Sequence, residues 1–141
     1  MIRQFAVTAL VALGFVAAAA QADIVRGAGD HCIMSVAGRG SLVVARRCER
    51  NTRQFWNRQG LTLRQGNLCL SIRLPGIAPG SEMNLTECDG GPHQDFRFDK
   101  NRMVGFKGLC VEMAEEPSNP LTVQNCQPLE RRQIWRLDGE P

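Results

Sequence analysis

A threefold internal repeat constrains this chain more than any other feature. When the sequence is laid against itself, Arg53-Gln54-Phe55-Trp56, His93-Gln94-Asp95-Phe96 and Arg132-Gln133-Ile134-Trp135 fall into register, their glutamines 40 and 39 residues apart. The cysteines keep the same period: Cys32, Cys69 and Cys110 form one series at spacings of 37 and 41, and Cys48, Cys88 and Cys126 a second at 40 and 38. Each copy therefore holds an early Cys, a late Cys and a Gln-x-aromatic. A unit of about forty residues cannot bury its apolar face alone and must stack on its neighbours. The copies run roughly over 23–60, 61–100 and 101–141.

The opening residues set the compartment in which those cysteines are read. Arg3 precedes an apolar run from Phe5 to Ala20, and Ala20-Gln21-Ala22 offers small residues where a signal peptidase needs them. This predicts a signal peptide over 1–22, cleaved after Ala22, and a secreted or periplasmic domain over 23–141 with no membrane span. The run is shorter than the roughly 20 apolar residues a spanning helix requires. All six cysteines lie beyond it, and an even count in an exported chain reads as disulfides rather than as metal ligands or nucleophiles. Six cysteines allow about 15 connectivities. The repeat points to pairing within copies: Cys32 with Cys48, Cys69 with Cys88, Cys110 with Cys126.

Local chemistry makes the repeats all-β. Ser41-Leu42-Val43-Val44, Leu61-Thr62-Leu63 and Leu68-Cys69-Leu70-Ser71-Ile72 are short runs of aliphatic and β-branched residues, and turn formers bound them. Gly38 to Gly40, Pro75 to Gly80 and Pro117 to Pro120 each fall between the two cysteines of a copy, where they predict hairpin tips. Disulfides flanking those tips would close loops worth on the order of 3 kcal/mol each in chain-entropy models.

An early Cys followed by an aliphatic residue, a glycine-marked loop, a late Cys and then Gln-x-Trp together resemble the ricin-type β-trefoil lectins. Cys69-Leu70 and the run from Cys88 to Phe96 carry the likeness best, and it extends over essentially all of 23–141. The resemblance implies a β-trefoil in which Gln54, Trp56, Gln94, Phe96, Gln133 and Trp135 are structural core residues. It also implies that Ile24 and Val25 supply the closing strand that the third copy lacks.

In that family a sugar site takes an Asp two residues after the early Cys, an aromatic between the cysteines and an Asn just before the Gln. Here the Asp position holds Met34, Ser71 and Glu112, and the Asn position holds Arg53, His93 and Arg132. No Phe, Trp, Tyr or His lies between the cysteines of any copy. The resemblance therefore implies a glycan-binding protein with an altered site, centred on Glu112 and Arg132, with Ser71 and His93 as further candidates. A second reading is a trefoil without sugar binding that serves as a protein-interaction piece, similar to the lectin-like subunits of the cytolethal distending toxins.

Charge bears on the ligand. Residues 23–141 hold 14 Arg and 2 Lys, and Arg46, Arg47, Arg50, Arg53 and Arg58 crowd the first copy. Guanidinium forks suit carboxylates, sulfates and phosphates, so an acidic glycan is one expected ligand class. The formal net charge of +3 argues against nucleic acid as a partner. No cofactor, metal or catalytic residue is expected: there is no Gly-x-Ser-x-Gly elbow, His-Glu-x-x-His pair or phosphate loop. Glu115 and Glu116 are adjacent on a loop and hold no fixed separation across a glycosidic bond. Asn84-Leu85-Thr86 is a glycosylation sequon.

Overall fold

A computed structural model describes residues 9–14 and 22–138. The expected leader, 1–22, lies outside the described residues except for 9–14 and Ala22, which carry no regular secondary structure. No helix among the described residues is long and apolar enough to cross a membrane.

The chain is all-β, with strands β1 (Ile24–Gly27), β2 (His31–Ser35), β3 (Val43–Arg47), β4 (Asn57–Gln59), β5 (Thr62–Gln65), β6 (Leu68–Ile72), β7 (Met83–Glu87), β8 (Arg97–Asp99), β9 (Arg102–Val104), β10 (Cys110–Glu112), β11 (Thr122–Gln124) and β12 (Trp135–Asp138). They form three four-stranded antiparallel sheets, β4-β5-β6-β7, β8-β9-β10-β11 and β12-β1-β2-β3. The last sheet joins the two ends of the chain: Val25 pairs with Leu137 and Gly27 with Trp135. The outer strand of the first copy thus comes from the end of the third.

Within each sheet the early and late cysteines face one another across a hairpin, and each of the three pairs is bridged: Cys32–Cys48, Cys69–Cys88 and Cys110–Cys126. The residues after the early cysteines, Ile33, Leu70 and Val111, are wholly buried with Trp56 and Trp135, and Phe96 is 1% exposed. The indole N–H of Trp56 donates to Ile33 O at 3.0 Å and that of Trp135 to Val111 O at 2.9 Å. Each ring therefore enters the core without orphaning its polar edge.

Every Gln of the repeat spans its late cysteine. Gln54 donates to Arg47 O and accepts from Glu49 N, each at 2.8 Å. Gln94 does the same with Glu87 O at 2.7 Å and Asp89 N at 2.9 Å, and Gln133 with Asn125 O at 3.0 Å and Gln127 N at 2.9 Å. A buried primary amide can offer both a donor and an acceptor at one point, which is what two backbone groups flanking a disulfide need.

The hairpin tips interlock as a ring. Gly40 N donates to Leu85 O at 2.6 Å and Leu85 N to Ser41 O at 2.9 Å, so the first tip rests on β7. The second tip rests on β11 through Gly80 N to Val123 O at 2.7 Å, and the third returns to β3 through Leu121 N to Val43 O at 2.8 Å. This ring brings side chains of different copies together around the candidate site.

Candidate functional site

The third copy brings Glu112 and Arg132 together. Arg132 NH2 lies 4.0 Å from Glu112 Oε1, NH1 lies 3.6 Å from Glu115, and Nε lies 3.1 Å from Glu130 Oε1. Glu112 Oε1 also accepts from Gln133 Nε2 at 3.4 Å. Hydrogen bonding from Arg132 holds the Glu130 carboxyl below the usual carboxylate range, and Glu130 in turn holds the Arg132 guanidinium above its ordinary value. Glu130 thus accepts hydrogen bonds from the guanidinium, and Glu112 and Glu115 stand at ion-pair distance around it. A ligand there would have to displace partners that the protein itself supplies.

Ser71 and His93 meet in the second copy. Both line a cleft of about 390 Å³, which opens between β6, β7 and the turn before the Gln. The Ser71 hydroxyl is spent within the protein: it lies 3.0 Å from Cys69 O and 2.7 Å from Thr86 Oγ1, and accepts from Gln94 Nε2 at 3.0 Å. His93 is 8% exposed, with Nε2 3.4 Å from Asp89 Oδ2. Gly91 makes room for that ring, since a Cβ there would come within 2.6 Å of it. The other oxygen of Asp89 accepts from Gly91 N at 2.7 Å, which fixes the carboxylate beside the imidazole.

Three lining residues escaped the sequence reading. Asn84 borders the cleft, and its Oδ1 is buried with no hydrogen-bond partner among the described residues. Asp89 stands in the run that carries the family resemblance, yet no family site position falls on it. Arg39 belongs to the first copy: the tip docked on β7 carries it to the cleft, where its guanidinium pairs with Glu87. The sequon had marked Asn84 for another chemistry, while Arg39 lies 48 residues from Glu87 and no local pattern links them. Leu74, 55% exposed, and Ile72 give the cleft an aliphatic wall.

In the first copy, Met34 receives Asn51 Nδ2 at 3.9 Å on its sulfur and offers no charge to a ligand. The arginines crowded there are partly engaged. Arg46 donates to Pro117 O at 2.9 Å, Arg50 lies over the Phe55 ring at 5.8 Å, and Arg58 over Phe98 at 5.4 Å.

Three disulfide-stapled hairpins, three Gln-x-aromatic anchors and a polar cleft with an aliphatic wall define a lectin-like trefoil. The chain belongs to the family of the ricin-type β-trefoil lectin domain, whose model matches residues 20–140. No curated protein matches it in sequence. Among solved structures it is similar to the agglutinin of Abrus precatorius, with a TM-score of 0.72, 20% identity, and coverage of 88% of this chain and 51% of that one. The chain thus spans about half the length of the agglutinin. It is also similar to the β-trefoil lectin of the Vibrio vulnificus hemolysin/cytolysin, solved with N-acetyl-D-lactosamine bound, with a TM-score of 0.69, 12% identity, and coverage of 84% and 95%. The designed threefold-symmetric protein ThreeFoil matches with a TM-score of 0.71, 15% identity, and coverage of 82% and 96%.

Proposed function

We propose that this chain is an exported, non-catalytic carbohydrate-binding domain whose altered site is the second-copy cleft. The observation that carries this reading is the composition of the cleft. Donors and acceptors of Arg39, Asn84, Asp89 and His93 surround an aliphatic wall in a space of about 390 Å³. A sugar ring presents one apolar face and a rim of hydroxyls, so an aliphatic surface with a few fixed polar groups is the complementary shape. An aliphatic wall replaces the aromatic platform and gives less contact area, so weak binding is expected. Export is supported by the three disulfides, which persist in oxidising compartments.

A glycan array with the disulfide-bonded protein tests the assignment. The paired substitutions Asp89→Ala and His93→Ala should weaken binding at least about tenfold, the cost of roughly 1.4 kcal/mol of lost polar contact. Glu112→Ala should leave it unchanged. Loss of binding on Glu112→Ala would move the site to the third copy. Silence across neutral and acidic glycans would return the trefoil to the protein-interaction reading.

A further inference from the structure

A second groove, of about 430 Å³, lies at the seam where β12 closes on β1. Arg131, Ile134 and Arg136 line it from the third copy, and the segment from Arg26 to Asp30 lines it from the first, with the Asp30 carboxylate paired to Arg26. Along β12 and the residue before it the side chains alternate: Trp135 and Leu137 are buried, while Ile134 and Arg136 are exposed two residues apart on one face. Ile134 is 40% exposed, so an apolar patch sits between two guanidinium groups.

Among the described residues, the charges around this groove leave Arg131 unpaired and Arg136 in one exposed ion pair that a ligand anion can displace. Arg26, at its edge, is taken by the carboxylates of Asp30 and Asp138, the latter at 2.9 Å from Nε. Arg136 Nε lies 3.6 Å from Asp138 Oδ1, beyond hydrogen-bonding distance. Among the described residues the Arg131 side chain has no ion pair or hydrogen bond.

The pseudo-threefold repeat supplies an internal control. The positions of Arg131, Ile134 and Arg136 hold Thr52, Phe55 and Asn57 in the first copy, and Pro92, Asp95 and Arg97 in the second. The trefoil therefore does not require two arginines flanking an aliphatic residue there.

We propose that the seam groove binds an acidic saccharide, with a sulfate or carboxylate held by Arg131 and Arg136 and the sugar ring resting on Ile134. Guanidinium forks pair bidentately with both anion types. The site is separate from the second-copy cleft and does not depend on it.

The test is titration of the full disulfide-bonded domain with a heparin-derived tetrasaccharide, an oligogalacturonate of the same length, a neutral tetrasaccharide and inorganic sulfate. One or both acidic saccharides should bind, and the arm that binds more tightly identifies sulfate or carboxylate as the group read. The Arg131→Ala/Arg136→Ala variant should bind at least about tenfold more weakly, with an unchanged melting temperature. Arg47→Ala/Arg53→Ala, which removes two exposed arginines elsewhere, should stay within about twofold of the unaltered protein. The proposal is overturned if the seam variant binds like the unaltered protein or the Arg47/Arg53 variant loses as much. With the cleft disabled by Asp89→Ala/His93→Ala, it is also overturned if the neutral saccharide or inorganic sulfate binds as tightly as the acidic saccharides. Independence of the two sites makes failure here distinguishable from failure of the cleft.

Discussion

At the scale of single residues, the glutamines work harder than their polarity implies. Gln133 is wholly buried, and its amide joins Asn125 O to Gln127 N across Cys126 while also touching Glu112. Replacing it by Ala orphans a buried carbonyl and a buried N–H. Gln133→Ala should therefore lower the unfolding free energy by about 2–4 kcal/mol, read as a drop in denaturant midpoint at constant slope. Glu130 adds a pH dependence at the same turn. Its carboxyl is lowered in the folded state by Arg132, so the stabilisation is present at neutral pH and fades as pH falls through that lowered value. Glu130→Gln should flatten the acid limb of a stability-against-pH curve while leaving the neutral plateau only slightly lower.

At the scale of elements, β1 shows how a short strand is placed by a partner far away in sequence. Its register sets Gly27 opposite Trp135, and a Cβ at Gly27 would come within 2.7 Å of the Trp135 ring. Neither the indole nor the backbone has room to retreat in a close-packed core. Gly27→Ala should cost about 1–3 kcal/mol and loosen the β1–β12 seam, seen as faster hydrogen exchange at Val25 and Leu137 than in the other two sheets. The hairpins were legible from the sequence because Gly and Pro mark their tips and cysteines mark their bases. The docking of one tip on the next strand was not, since hydrogen bonds such as Gly40 N to Leu85 O join residues with no shared local pattern.

At the scale of the whole molecule, the domain is small and rests on one core shared by three copies, so the copies cannot unfold separately. Each disulfide closes a short loop of 16 to 19 residues. Each removes denatured-state entropy worth on the order of 3 kcal/mol. The sum over three is comparable with the whole stability of a typical domain of about 5–15 kcal/mol. Thiol reductant should therefore abolish the melting transition or lower its midpoint by tens of degrees, in one cooperative step; an unchanged melt would contradict the staples. The second-copy cleft belongs to this scale as well, because Arg39 comes to it from another copy.

The sequence by itself determined the trefoil, the disulfide pairing and the three aromatic anchors, because repetition at fixed spacing records the demands of a shared core three times over. The residues proposed to bind a ligand are not repeated. Ser71 and Glu112 occupy matching positions in the sequence, yet one is locked in a hydroxyl–amide network and the other faces an arginine already surrounded by carboxylates. Only the tertiary structure brought Arg39 and Asn84 to the cleft beside Asp89 and His93, and set the segment from Arg26 to Asp30 against Arg131, Ile134 and Arg136 along one seam. Those groupings depend on how copies pack against each other and on which side chains are already satisfied. Neither quantity is written in the local order of residues.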